Sequence, residues 1–380
     1  MEEKLPSWDV HFDLTLRVTN PRIIEDVAKI HALASVIRGI PIPPPVQQRI
    51  DRLNILRAVG GTIGIEGTEL STEEISLVMT SPPDSSPLGP GREREEQEAR
   101  NANELMGYVA EYIRRNPNGH VSESLILEFH RVLTHNIDYL HNEPGQYRNH
   151  AVTVGPYRPP STGEEVRRLM ADFVHWFNTG APKTWDPVIR AIVAHFYLVS
   201  IHPFGDGNGR TSRALESFLL YKAGVNVRGY YSLANYFYRN RPEYIDSLNL
   251  VQMRGETDLT PFVAFALTGL VQELEAVHAE VLEAVKVIAF RDYARETLNA
   301  DGKLATPAGE RQLQFLIGLG NDSVSLKALR SGDHSLSHLY RNVTTRTLTR
   351  DINYLKKQAL VIAVNDKLRA NLDLMTQFTA

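Results

Sequence analysis

Residues His202 to Arg213 read His-Pro-Phe-Gly-Asp-Gly-Asn-Gly-Arg-Thr-Ser-Arg, and they constrain the chain more than any other stretch. Gly205, Gly207 and Gly209 fall within five residues, so the backbone can turn its N–H groups inward around an anion. From Thr211 onward, Ala214, Leu215, Phe218 and Leu219 recur at helical spacing. The loop therefore feeds a helix N-terminus, where unpaired N–H groups and the helix dipole favour a phosphate. Arg210 and Arg213, three residues apart, share one face of that helix and present forked positive charge suited to phosphate oxygens. Asp206 supplies a carboxylate of the kind that holds magnesium against phosphates. His202 can take up a proton near neutral pH. No Lys-Ser/Thr follows the glycines, which excludes a P-loop. Together these residues describe a site for chemistry on a nucleotide phosphate.

The whole stretch resembles the core motif of the Fic family, His-Pro-Phe-x-Asp/Glu-Gly-Asn-Gly-Arg-x-x-Arg, at every fixed position. The resemblance implies a protein adenylyltransferase that moves AMP from ATP onto a Ser, Thr or Tyr hydroxyl of a target protein. In that reading His202 is the catalytic base and Asp206 holds Mg2+. Backbone N–H groups of Gly207 to Gly209, with Asn208, steady charge on the α-phosphate, and Arg210 and Arg213 hold the β and γ phosphates. Phe204 anchors the loop in the core. The implied fold is mainly α: a Fic helical core with a small β-hairpin flap, plus a C-terminal winged helix-turn-helix domain.

The chain has 380 residues, enough for two or three domains, and 42% of them are hydrophobic. No apolar run reads as long enough to span a membrane, and no membrane partner is expected. The opening Met1-Glu-Glu-Lys lacks the basic-then-apolar pattern of a signal peptide. Cysteine is absent, so there is neither a disulfide framework nor thiol catalysis, and a cytoplasmic location is expected. The expected division is an N-terminal helical region over 1–90, the Fic core over 91–298 and the winged helix over 299–380.

Phe12 to Pro21 reads as a short extended arm. Asn20-Pro21 caps a helix from about Arg22 to Arg38, with Ile23, Val27, Ile30, Leu33 and Ile37 on one face. A second helix runs from about Val46 to Gly60 on Ile50, Leu53, Leu56 and Val59. It leads into Gly61-Thr-Ile-Gly-Ile-Glu-Gly-Thr, where Thr62-x-x-x-Glu66-Gly67 resembles the inhibitory motif of Fic proteins that carry their own brake. Thr62 and Glu66 are four apart and share a helical face. The resemblance implies that Glu66 enters the nucleotide site and pairs with Arg213.

Ser81 to Gly91 reads as a linker, and Arg92 to Arg100 as the solvated start of a helix that stops at Asn116-Pro-Asn-Gly. A helix from Ser122 turns Leu125, Phe129, Val132 and Leu133 inward. His130 and His135 lack the company of a metal site and read as structural or solvent-facing. Pro144-Gly-Gln-Tyr-Arg and the alternating Val152, Thr153, Val154 resemble the Fic flap, on which a target segment would add as a strand. By the same resemblance Val154, Gly155, Pro156 and Tyr157 line the nucleotide site. Helices follow at Gly163 to Thr179 and Pro187 to Ser200, where His195 reads as structural. In Leu233 to Gln252, the Asn-Arg-x-x-Tyr pattern resembles the segment closing the adenine and ribose side, which assigns Tyr244 and Gln252, with Asn240 beside them.

Thr260-Pro261 caps a helix to about Thr297, and Asn299 to Gly309 reads as a linker. Beyond it, helices at Glu310 to Leu319, Ser325 to Leu329 and Thr344 to Gln358 precede a hairpin at Leu360 to Val364 with Asn365-Asp366 as its turn. From Asn321 to Ala380, nine Lys/Arg stand against five Asp, a local excess of four positive charges in a chain of net charge −4. That excess is compatible with DNA, and equally with a protein-binding or dimer module. The partners implied are ATP, a target protein on the flap, the chain itself through self-modification, a second copy in a homodimer, and DNA. Two other readings stay open. One is removal of AMP from a target, with Glu66 orienting a water. The other is a DNA-binding regulator whose core senses nucleotide.

Overall fold

The structure is a computed structural model and describes residues 9–226, 233–254 and 256–379, with side chains to 376. The opening Met1-Glu-Glu-Lys lies outside the described residues. The chain divides into two compact units, Met1–His278 and Ala279–Ala380. The three-part division expected from sequence is corrected on both counts. The N-terminal helices are not a separate unit, and the boundary falls inside a long helix rather than at the linker that follows it.

The first unit is built from helices α1 (Pro21–Gly39), α2 (Pro44–Ile65), α3 (Thr72–Thr80), α4 (Glu93–Arg115), α5 (Glu123–Thr134), α6 (Gly163–Thr179), α7 (Pro187–Ile201), α8 (Asn208–Lys222), α9 (Ala234–Arg239), α10 (Arg241–Gln252) and the start of α11 (Thr260–Ala300). It is one unit because α2 buries its apolar stripe in the core. Leu56, Val59 and Ile63 of α2 pack with Ile75 and Val78 of α3 and Ala99 and Ala102 of α4. Leu53, expected on that stripe, is exposed. The helix also runs five residues beyond its expected end, which places the Thr62–Glu66 segment on its last turn. Helix α3 went unread in the sequence. Its signal was a capping box in which Ser71 accepts from the Glu74 N–H at 3.2 Å while the Glu74 carboxylate accepts from the Ser71 N–H at 2.8 Å.

Helix α7 lies at the centre, with thirteen of its fifteen residues buried. It has no amphipathic face because other elements cover it all round. The Asp186 side chain accepts from the Val188 N–H at 2.8 Å and caps it. The expected arm forms one bridge, Thr15 to Asp258, and lays Phe12 against Phe173, Trp176 and Tyr197. Helix α11 is long and apolar enough to cross a membrane by length and composition, which corrects the sequence reading. Half of its apolar window is buried, with Phe262, Val263, Ala266, Leu267, Leu270 and Leu274 facing the core.

The second unit holds the rest of α11, then α12 (Pro307–Leu319), β1 (Ser323–Ser325), α13 (Leu326–Ser331), a 3-10 turn at Ser335–Tyr340, α14 (Thr345–Lys357), β2 (Val361–Val364) and β3 (Lys367–Ala370). The strands form an antiparallel sheet in the order β1-β3-β2. The hairpin expected from sequence is β2–β3, with Val364 opposite Lys367 across the Asn365-Asp366 turn. Its core gathers Phe290, Leu298, Phe315, Leu316, Leu348, Ile352, Leu355 and Leu360.

Because α2 shares the first unit's core, Ile63→Ala should destabilise that whole unit by about 2–5 kcal/mol. Urea unfolding followed by circular dichroism checks this, and the loss should fall on the major transition rather than on a separate, earlier one.

Candidate active site

The loop between α7 and α8 begins with a residue in an unusual conformation. His202 ends α7 in the left-handed region, at φ 52° and ψ 57°. Side chains other than glycine rarely adopt it, because Cβ crowds the following carbonyl. Here it is held from both sides. The His202 N–H donates to the Leu198 carbonyl at 3.1 Å, and the His202 carbonyl accepts from Arg148 Nε at 2.7 Å.

Arg148 is buried and joins three strands of chain at once. Its Nη1 donates to the His150 carbonyl and its Nη2 to the Pro160 carbonyl, each at 2.7 Å. Its own N–H donates to the Pro203 carbonyl at 2.9 Å. One guanidinium thus fixes the turn at His202 and both ends of the flap. The sequence offered a signal in Pro144-Gly-Gln-Tyr-Arg, but no role was read for this arginine.

The His202 ring is set for base chemistry. Its Nδ1 lies 3.2 Å from the Val199 carbonyl, which calls for a proton on Nδ1 and leaves the Nε2 lone pair available. Burial, with the Arg148 charge nearby, pushes its pKa down to about 4, against the smaller opposing effects of the Val199 carbonyl and Glu66. The ring is therefore neutral and able to accept a proton at pH 7.

The rest of the loop is fastened by side chains. Phe204 is buried, as expected, with its ring stacked on His130 at 3.7 Å between centroids. His130 Nε2 lies 3.0 Å from the Asp206 carbonyl, and His130 Nδ1 accepts from the Gly145 N–H at 2.9 Å. It is the structural histidine of the two readings offered for it. His135 pairs with Glu104 at 3.0 Å. Asn208, expected beside the α-phosphate, directs its side chain elsewhere. Its Oδ1 accepts from the Phe204 N–H at 2.8 Å and its Nδ2 donates to the Phe204 carbonyl at 2.9 Å. Gly207, at φ 75°, turns the chain into α8, which begins at Asn208 rather than Thr211. The first N–H groups of α8, those of Asn208, Gly209 and Arg210, have no partner inside the helix and form the anion-facing turn.

The two arginines prove unequal. Arg213 is buried and reaches back to α2: Nε donates to Thr62 Oγ1 and Nη2 to the Thr62 carbonyl, each at 3.0 Å, and Nη2 also meets Glu66 Oε1 at 2.6 Å. Glu66 ends α2, and Gly67 follows at φ 98°. The Thr68 N–H then bonds the Ile63 carbonyl and the Gly67 N–H the Gly64 carbonyl, a Schellman ending that only a left-handed residue completes. The Glu66 carboxylate comes so close to α8 that a Cβ on Gly209 would lie 2.3 Å from its Oε1. It thus occupies the anion-facing turn. Burial works against its charge, yet Arg213 and Arg210 prevail and hold its pKa below the usual carboxylate range.

Arg210 was expected on the phosphates. It is buried instead among protein acceptors: Nη1 on Tyr139 Oη, Nη2 on Asp206 Oδ1 at 2.7 Å, and Glu98 at 3.5 Å. Its effect here is to orient Asp206. Glu98 also accepts from Tyr139 at 2.7 Å and from Thr68, directly after the Thr62–Gly67 segment. The charged run expected to be solvated therefore buries Glu98, and Glu96 as well, because each carboxylate has partners waiting. Asp206 is two-fifths exposed, and Oδ1 takes both Arg210 and the Gly207 N–H.

The flap is smaller than expected. It is a single bridge, Val154 to Tyr157, around Gly155-Pro156. Val154, Gly155 and Pro156 lie at the surface. Tyr157 turns inward and donates its hydroxyl to the Ser200 carbonyl at 2.9 Å, so it anchors the flap on α7 rather than lining a cleft. Tyr244 and Gln252, assigned to the adenine side, are buried too. The Tyr244 hydroxyl meets His195 Nε2 at 2.9 Å, and Gln252 Nε2 donates to Ser200 Oγ at 2.8 Å. His195 Nδ1 lies 2.6 Å from Glu216, which confirms its structural role. Asn240 is the break between α9 and α10, and its Nδ2 donates to the Tyr236 carbonyl at 2.9 Å. Tyr244 and Gln252 are internal because they project from α10 onto α7.

No group of three or more His, Cys, Asp or Glu side chains placed to hold a metal occurs among the described residues. A magnesium ion retained mainly by substrate phosphates needs only one or two carboxylates, and Asp206 fits that need.

Residues 120–220 match the model of the Fic/DOC family. Protein adenylyltransferase Fic of Aedes aegypti is 32% identical over 57% of this chain and 40% of its own length. Protein adenylyltransferase fic-1 of Caenorhabditis elegans is 30% identical over 65% of this chain and 44% of its own length. The chain thus spans less than half the length of these curated relatives. A solved Fic-1 fragment from C. elegans matches with a TM-score of 0.53 at 26% identity, over 67% of this chain and 71% of the fragment. A Fic family protein from Desulfovibrio desulfuricans shares the fold over 95% of this chain and 98% of its own, with a TM-score of 0.56 at 20% identity.

Replacing Arg148 by Lys keeps a charge but not the three-way fork. It should cost at least about 2 kcal/mol of stability, since buried carbonyls lose their donor. Thermal melting of the purified variant checks this.

Proposed function

We propose that this chain transfers AMP from ATP to a Ser, Thr or Tyr hydroxyl of a target protein, and that Glu66 keeps it idle. The observation that carries the reading is the Glu66 carboxylate, lodged at Gly209 on the first turn of α8 and bound to Arg213. An anion of the chain's own stands where a phosphate would be held. The relatives named protein adenylyltransferase support the same chemistry.

His202 Nε2 takes the proton of the target hydroxyl as the oxygen forms its bond to the α-phosphorus of ATP. The bond to the bridging oxygen breaks and pyrophosphate leaves with that electron pair. The N–H groups of the first turn of α8 meet charge building on the α-phosphate. Asn208 contributes by holding the loop rather than by donating to substrate. Once Glu66 withdraws, Arg213 has an open fork for a terminal phosphate. Magnesium, when bound, would be held by Asp206, aligned by Arg210, and would neutralise phosphate charge. The exposed edge at Val154 to Pro156 is where a target backbone would lie.

The test uses ATP labelled at the α-phosphate with wild type, Glu66→Gly, and Glu66→Gly/His202→Ala. Label on Glu66→Gly itself or on a lysate band should exceed wild type by at least tenfold and vanish in the double variant. No label on any of them would overturn the reading and favour removal of AMP.

The pH profile of Glu66→Gly should be flat through neutrality and fall as pH drops toward about 4, where His202 gains a proton. The lowered pKa of Glu66, held down by Arg213 and Arg210, keeps its carboxylate charged through neutrality. Moving from pH 8 to pH 6 should therefore not release wild type, because the carboxylate stays ionised over that range. Initial rates of both proteins between pH 4 and 8 check the pair of expectations.

A further inference from the structure

The second unit carries positive charge that the proposed reaction does not use. On α14, Arg346, Arg350, Asn353, Lys356 and Lys357 are all exposed. The one carboxylate of this helix, Asp351, is turned into the core, where it accepts from Arg311 at 2.6 and 2.9 Å and from Gln312 at 3.1 Å. Its outer face therefore bears cations and no acid. Arg346, Arg350, Lys356 and Lys357 have no carboxylate partner among the described residues, whereas Arg114, Arg131, Arg210 and Arg213 of the first unit do.

A second feature adjoins the first. A polar recess of about 540 Å³ opens where α13, the Ser335–Tyr340 turn and the start of α14 converge. Arg330, Arg341, His334, His338, Ser331 and Thr344 line it. Lys327 on α13 and Lys367 after the hairpin turn add exposed charge in the same unit. The order α12-β1-α13-α14-β2-β3, with the sheet order β1-β3-β2, is that of a winged helix.

We propose that this unit binds duplex DNA, with α14 in the major groove and the cationic recess on a flanking phosphate. Thirteen residues at 1.5 Å each give a helix about 20 Å long, exposed on one side, and the groove of about 12 Å admits one helix. Arg346, Arg350 and Asn353, spaced by four and three, project along one line of that side. They are residue types that read guanine and adenine edges. Phosphate contacts from Arg330 and Arg341 would set the register without reading sequence. The inference stands apart from AMP transfer, which uses none of these residues.

The experiment is fluorescence anisotropy of a labelled mixed-sequence 24-base-pair duplex with the full chain at 50 and 200 mM salt. Binding should fall within about 1–100 μM and weaken steeply with salt. Arg346→Gln/Arg350→Gln, which removes two base-reading forks, should weaken it at least tenfold. Arg346→Glu/Arg350→Glu should abolish it, while circular dichroism of both variants and AMP transfer in the Glu66→Gly background stay as before. No binding at 50 mM salt would overturn the proposal. So would equal binding by the glutamine variant, or polyglutamate or single-stranded RNA competing as well as unlabelled duplex.

Discussion

The turn at His202 is the constraint on which the site depends. A left-handed backbone at a residue with a side chain costs of the order of 1–3 kcal/mol and persists only where its surroundings over-determine it. Here they do. Arg148 takes the His202 carbonyl and, through its own N–H, joins Pro203. Two residues earlier, Ser200 is held by Tyr157 through its carbonyl and by Gln252 through its hydroxyl. With α7 ending in a fixed direction, the loop can reach α8 only along one path. Phe204 on His130 and Asn208 on Phe204 close that path. The direction in which the first N–H groups of α8 point follows from this, and with it the place where an anion can be received.

That place is filled by the chain's own carboxylate, and the electrostatics explain why. Arg213 is almost wholly buried, and a buried guanidinium without an anion is costly. Thr62 satisfies part of its fork with neutral oxygens, and Glu66 supplies the charge. A phosphate could replace that carboxylate and leave Arg213 still paired. Exchange of one anion for another is therefore far less costly than simple loss of Glu66. In the proposed reading Glu66 is thus a competitor of substrate rather than a distant regulator. Its hold is also shared, since Thr68 just beyond it is tied to Glu98 on α4, and Arg241 donates to the Ile65 carbonyl at 3.1 Å.

Much of the loop could be read directly. Phe204 as an anchor, Glu66 opposite Arg213 and a hairpin at Asn365-Asp366 all stand where the pattern placed them. Other residues have the expected neighbourhood but a different role. Tyr157, Tyr244 and Gln252 surround α7 as supports, and Asn208 and Arg210 fasten the loop and Asp206. Arg148 and Glu98 went unassigned, although with His130 they hold the site together. Helix α3 was legible in its capping box and was passed over. The N-terminal helices looked like a separate region because a proline-rich and charged stretch follows them, yet α2 completes the core of the first unit.

What the sequence determined by itself is what lies within a few residues: the glycine turn, the helix start after it, the four-residue spacing of Thr62 and Glu66, and the chemical types of the groups offered to a phosphate. Only the tertiary structure decided which of those groups face outward and which are already bonded. The contacts that settle it span 54 residues from Arg148 to His202 and 151 from Thr62 to Arg213. A local pattern fixes what a side chain can donate or accept. Its direction depends on where remote helices bring a partner, and burial makes any partner within reach hard to give up.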